Sequence, residues 1–212
     1  MPLTLVGCAA HPSSMTLRLD LPQMPATDLV TLLGDPHRAV RARTRLLALG
    51  PEATEAARIG LAHPDERVRE QCCQILDHLM DADSIPLLID ALADPCERVR
   101  IGAVHALACD RCKSDTCRPD PEAVLPTAVG LLAHDPSALV RAYAAELVGH
   151  WVHSRLAARD ALLRSAAQDP SPAVRKKASW YAPGGAIYLR TQPRPARDRV
   201  AAAHDAGESS GR

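Results

Sequence analysis

The side chains best suited to chemistry gather in one place. Cys109, Cys112 and Cys117 fall in the pattern Cys-x2-Cys-x4-Cys, and His105 precedes Cys109 by one helical turn, on the same face. Two thiolates at this spacing can share one metal ion, and a third Cys with one imidazole completes a tetrahedral zinc set. The same thiols can exchange with a disulfide, which would make the loop a sensor. The plain alternative is a surface loop with inert thiols. There are only three Cys, His105 sits within a helix, and no strand–helix setting supports redox exchange, so the three readings stay open. Apart from that possible zinc, no cofactor is expected.

The elements around this loop come from a phrase written five times. The copies are Asp35-Pro36-His37-Arg38-Ala39-Val40-Arg41, His63-Pro64-Asp65-Glu66-Arg67-Val68-Arg69, Asp94-Pro95-Cys96-Glu97-Arg98-Val99-Arg100, Asp135-Pro136-Ser137-Ala138-Leu139-Val140-Arg141 and Asp169-Pro170-Ser171-Pro172-Ala173-Val174-Arg175. Asp can cap the N–H groups of a following helix, and Pro fits the first helical position. Each Val then opens an apolar stripe. Thr44, Cys72, Ala103, Ala144 and Ala178 lie four residues on, and Leu47, Ile75, Ala106, Leu147 and Tyr181 lie seven on. This spacing predicts an amphipathic helix B in every unit, with small residues near its start so that neighbouring helices approach closely. A shorter apolar helix A is predicted before each phrase, at 28–33, 52–62, 84–93, 121–133 and 156–167. Successive prolines are 28, 31, 41 and 34 residues apart, the period of a stacked solenoid. The 41-residue interval contains the Cys-rich insertion at 109–120. The expected organisation is a loose segment at 1–24, a repeat array at 25–182, and a terminal cap with a disordered tail at 183–212.

The phrase Asp-Pro-x-x-x-Val-Arg, followed by a small residue and Leu, resembles the HEAT repeat in its short bacterial form, named after phycobilisome lyases. The resemblance covers roughly residues 26–182 and speaks to architecture rather than activity. It implies an all-α, right-handed solenoid of about five helical hairpins, with B helices along the concave side. It also implies a ladder of bonds within and between units, joining Arg41, Arg69, Arg100, Arg141 and Arg175 to Asp35, Asp94, Asp135 and Asp169. His63 stands where the second copy should have Asp, which puts that unit's rung in doubt. The competing reading of these arginines is a phosphate-binding stripe, but each Arg arrives with its own carboxylate at fixed spacing.

Three and six residues beyond each Val, side chains should line the concave face. They include Arg43, Gln71 and Gln74, then Tyr143, Glu146 and Lys177, with Trp180 at the end. The surface is mixed in charge, without the continuous cationic track that phosphate binding requires. Tyr181 and Tyr188 flank Pro183-Gly184-Gly185, which must break the last helix. With Trp180 they either fold over the open end of the core or anchor a partner.

Totals close off other classes. Lys+Arg and Asp+Glu are both 25, formal net charge is zero and pI is about 7.1, which argues against a general polyanion binder. No apolar run approaches the roughly 18 residues of a membrane span. Leu5-Val6-Gly7-Cys8 spells a lipoprotein box, but Met1-Pro2-Leu3-Thr4 supplies neither a basic region nor an apolar core before it. Seven Cys, an odd number without an export signal, fit reduced thiols in the cytoplasm. There is no G-x-S-x-G elbow, phosphate loop, H-E-x-x-H or His-Glu dipeptide of the kind deoxyhypusine hydroxylases use for iron. The expectation is a monomeric, non-catalytic scaffold that holds another protein on its concave face, without nucleic acid or membrane. The alternatives are a metal- or thiol-dependent sensor and a lyase-type or other enzyme accessory protein.

Overall fold

The computed structural model describes residues 23–109 and 119–193, and every regular element in them is helical. The first hairpin is α1 (Ala26–Thr31), extended by a 3-10 turn, and α2 (Ala39–Leu49). The second is α3 (Thr54–Gly60) and α4 (Glu66–Leu79), the third α5 (Ser84–Ala91) and α6 (Glu97–Ala108). The fourth is α7 (Pro121–His134) and α8 (Ala138–Gly149), and the fifth α9 (Leu156–Gln168) and α10 (Pro172–Tyr181), followed by short α11 (Ala186–Thr191). Helix α4 packs along α6, α6 along α8 and α8 along α10, so the B helices form a continuous wall, with the A helices behind it. The insertion expected at 109–120 falls between the third and fourth hairpins, and 110–118 lie outside the described residues. So do 1–22 and 194–212, and with them most of the expected N-terminal segment and tail.

The repeated stripe makes the core in four of the five copies. Val68, Val99, Val140 and Val174 are fully buried, as are Cys72, Ala103, Ala144 and Ala178 four residues on. These small side chains let adjacent B helices close up. At Gly102 of α6 an added methyl would lie 2.9 Å from Cys73 Cβ of α4.

The turns differ from the expected cap in one respect. Pro64, Pro95 and Pro136 stand two residues before the first helical position, and the residue after each is the extended N-cap. The phrase's Asp accepts the N–H of the residue two on, at 2.8 Å, from Asp94 to Cys96, Asp135 to Ser137 and Asp169 to Ser171. His63 does the same work with an imidazole, Nδ1 accepting from Asp65 at 3.0 Å.

Three of the ladder arginines each link their own turn to the next one. Arg69, Arg100 and Arg141 donate through Nη1 to the carbonyls of His63, Asp94 and Asp135 at 2.9, 2.9 and 2.8 Å. Their Nε and Nη2 grip the following unit's carboxylate in a two-point pair: Arg69 with Asp94 at 2.7 and 3.0 Å, Arg100 with Asp135 at 2.7 and 3.0 Å, Arg141 with Asp169 at 2.8 and 3.0 Å. Arg175, in the fifth unit, donates to the Asp169 and Pro170 carbonyls of its own turn.

Two ladder residues stand apart. Asp35, in the first hairpin of the described residues, pairs with exposed Arg38 at 3.4 Å. Arg41 is exposed and makes no rung, because the carboxylate it would reach is replaced by His63. The doubt over the second copy therefore falls on the first unit's arginine, since each rung reaches forward. The first copy also turns a different stripe inward. Val40 is 75% exposed, while Ala42 and Leu46 are fully buried. Here the turn stays helical, with Arg38 and Ala39 both donating to the Asp35 carbonyl, so α2 starts a residue later and rotated. With no rung to α4, α2 meets it far less extensively than the other B helices meet one another.

The ladder predicts acid behaviour. The hydrogen bond from Arg141 holds the Asp169 carboxyl below its ordinary value, against the opposing effect of burial. A depressed carboxylate contributes stability above its unfolded value, about pH 4, and loses it as pH falls through the lower folded value. Asp169→Asn should therefore remove part of the pH dependence of urea denaturation below pH 5; an unchanged slope contradicts the assignment.

Candidate functional site

The rotation of α2 opens a groove of about 570 Å³ on the B-helix wall. Its apolar side is Leu33, Pro36, Ala39, Val40 and Leu47, and its polar side is Arg43, Arg67, Glu70, Gln71 and Arg98. Arg43 and Gln71, expected on the binding face, are therefore together at its first end. Gln74 lies one turn on, donating to Glu70 at 3.4 Å. Glu70 also meets Arg98 at 3.6 Å. The buried Nε of Arg43 has no hydrogen-bond partner.

The other expected contact residues sit at the far end of the wall. Lys177 of α10 pairs with Glu146 of α8 at 2.9 Å, and its ammonium lies 5.7 Å from both the Trp180 and Tyr181 ring centres. Tyr143 is half-buried against the core. The choice between cap and anchor divides by residue. Tyr181 packs on Gly149 and its hydroxyl is pushed up to about 12 by burial, with Glu146 adding to the effect. Tyr188 stacks on His153 with ring centres 4.4 Å apart. Both tyrosines close the end of the core, and Gly184, at φ +86°, makes the turn that brings α11 back. Trp180 instead keeps 39% of its surface exposed.

The structure joins His105 and Cys109 of the expected zinc set and adds a third residue to them. Cys112 and Cys117 lie outside the described residues. The third member of the group is Asp77 of α4: its Oδ2 lies 3.5 Å from His105 Nε2, and one donor atom from each of Asp77, His105 and Cys109 lies within 4.8 Å of the others. Sequence reasoning passed over Asp77, although nine residues beyond the phrase Val the other copies carry Leu49, Ala108, Gly149 and Pro183. Cys72 and Cys73 belong to the core, and burial pushes the Cys72 thiol up to about 12 and Cys73 higher still.

No helix among the described residues is long and apolar enough to cross a membrane. No curated protein matches the chain. A HEAT-repeat family model matches residues 54–124. Among solved structures, the chain is similar to one chain of the complex of CpcE and CpcF of phycocyanin lyase from Nostoc sp. PCC7120, at 21% identity and TM-score 0.62, over 74% of this chain and 96% of that chain. Two engineered proteins are similar at 19% and 18% identity, with TM-scores of 0.53 and 0.50, over 72% and 73% of this chain and 76% of each of theirs. At these identities the likeness is one of fold. The repeated phrase, the stacked hairpins and these likenesses agree on the fold: the described residues form an α-solenoid, with HEAT repeats matched over residues 54–124.

Proposed function

We propose that the protein is a non-catalytic binding scaffold, and that the groove between α2 and α4 holds a segment of another protein. The observation that carries this reading is Val40. It is three-quarters exposed at a phrase position that is fully buried in the other four copies. Around it, apolar side chains and the cations of Arg43, Arg67 and Arg98 suit a peptide or helix that offers apolar anchors with carboxylates beside them. Glu70 on the same rim and the zero net charge make nucleic acid a poor occupant. The similar lyase structure is a complex of two proteins, which supports a protein partner and is compatible with service to an enzyme subunit.

Site-specific photo-crosslinking in the native cell tests this. A crosslinker at Thr44, in the groove, should give an adduct with a second polypeptide that fades when Val40→Asp is added. A crosslinker at Glu55, on the A-helix side, should not give it. Adducts only within the chain, or the same adducts from both positions, would overturn the reading.

A further inference from the structure

We infer that Asp77, His105 and Cys109 form a zinc site joining the second and third repeats. The inference is independent of the binding groove. Asp77 is 5% exposed, and its buried Oδ1 has no hydrogen-bond partner. A carboxylate taken from water with one oxygen unmet is costly unless another group compensates it. Its nearest candidate on the neighbouring helix, His105, stands at 3.5 Å with more than half its side chain exposed, too remote and too wet to offset that burial alone.

A divalent cation supplies what is missing. Around tetrahedral zinc, with bonds of roughly 2.0–2.3 Å, donor atoms stand about 3.3–3.6 Å apart. The His105–Asp77 separation already matches one such edge, and side-chain rotation within the 4.8 Å cluster brings in the Cys109 sulfur. One oxygen, one imidazole nitrogen and one thiolate are a donor set that suits zinc and is too soft for magnesium or calcium. Three protein ligands leave the fourth position to water or an outside ligand.

Placement gives the site a role. The Arg69–Asp94 rung ties the second and third repeats near the first turn of their B helices. Asp77 and His105 lie in the last turns of α4 and α6, at the opposite end of the same wall. Zinc there would fasten the pair at both ends, immediately before the insertion.

The test is zinc titration of the full chain, reduced and stripped with chelator, read by calorimetry and metal analysis. One zinc per chain is expected, with a thiolate-to-metal absorption band when cobalt replaces it. His105→Ala, at an exposed position, and Asp77→Asn, of equal size, should each weaken binding by more than the roughly 10–100-fold that outer-shell changes cost. Cys109→Ser should abolish the cobalt band, while Cys96→Ser leaves both signals intact. Less than about 0.2 zinc per chain, the level set by adventitious metal, would overturn the site. So would unchanged affinity in both His105→Ala and Asp77→Asn, even if Cys109→Ser abolished binding, because the metal would then lie elsewhere.

Discussion

Asp135→Ala should destabilise the protein by about 3–5 kcal/mol, the usual cost of stranding one partner of a buried ion pair. Arg100 and Asp135 are only 9% and 6% exposed, so truncation leaves a guanidinium out of water with two of its donors unmet. The same carboxylate also accepts the Ser137 N–H at 2.8 Å, so the turn loses its own support. Asp35→Ala removes the same residue type from the same place in the phrase, yet should cost less than about 1 kcal/mol, because its partner Arg38 is exposed. Urea denaturation of the two variants makes the comparison. Equal costs would mean that the stack does not depend on its rungs.

Val99→Asp should leave little folded protein, while Val40→Asp should change stability by no more than roughly 0.5 kcal/mol. The two valines hold the same position in the phrase. Val99 of α6 is fully buried, so a carboxylate there is taken out of water. Val40 lies open on the groove, where a carboxylate stays hydrated and has Arg43 nearby. Circular dichroism melts and soluble yield read the difference. A Val40→Asp protein as damaged as Val99→Asp would place α2 in the ordinary register and close the groove.

These comparisons also mark what the sequence could and could not reveal. The helical hairpins, the buried Val68 stripe and its equivalents, and the helix A spans follow from local spacing, and local spacing is what a repeat repeats. The direction of the rungs does not. Arg69 finds its carboxylate in the next unit, at Asp94, because stacking sets neighbouring turns side by side, a relation between units that no single copy contains. The rotation of α2 was hidden for the same reason. Val40 reads like the other four, and what sets it apart is a histidine rather than a carboxylate at 63, in the next copy. Asp77 was visible in principle: lining up the copies leaves one acid among Leu49, Ala108, Gly149 and Pro183. Its partnership with His105 was not, because it depends on which helix ends meet. Cys112 and Cys117, the most conspicuous residues in the sequence, fall outside the described residues.

The central claim is that the hairpins stack in a single file, each B helix beside the next. Distances between paired spin labels on unnatural side chains test it most directly, with one label fixed at Thr44 of α2 and the other moved through exposed positions of α4, α6, α8 and α10. Packed helices are spaced by roughly 8–10 Å, so the distance should grow with every step along the series, curvature taking something from the last. A distance that rises and then falls back by α10 would mean that the hairpins surround one common core, and neither a groove on an open wall nor a ladder of rungs would survive that result.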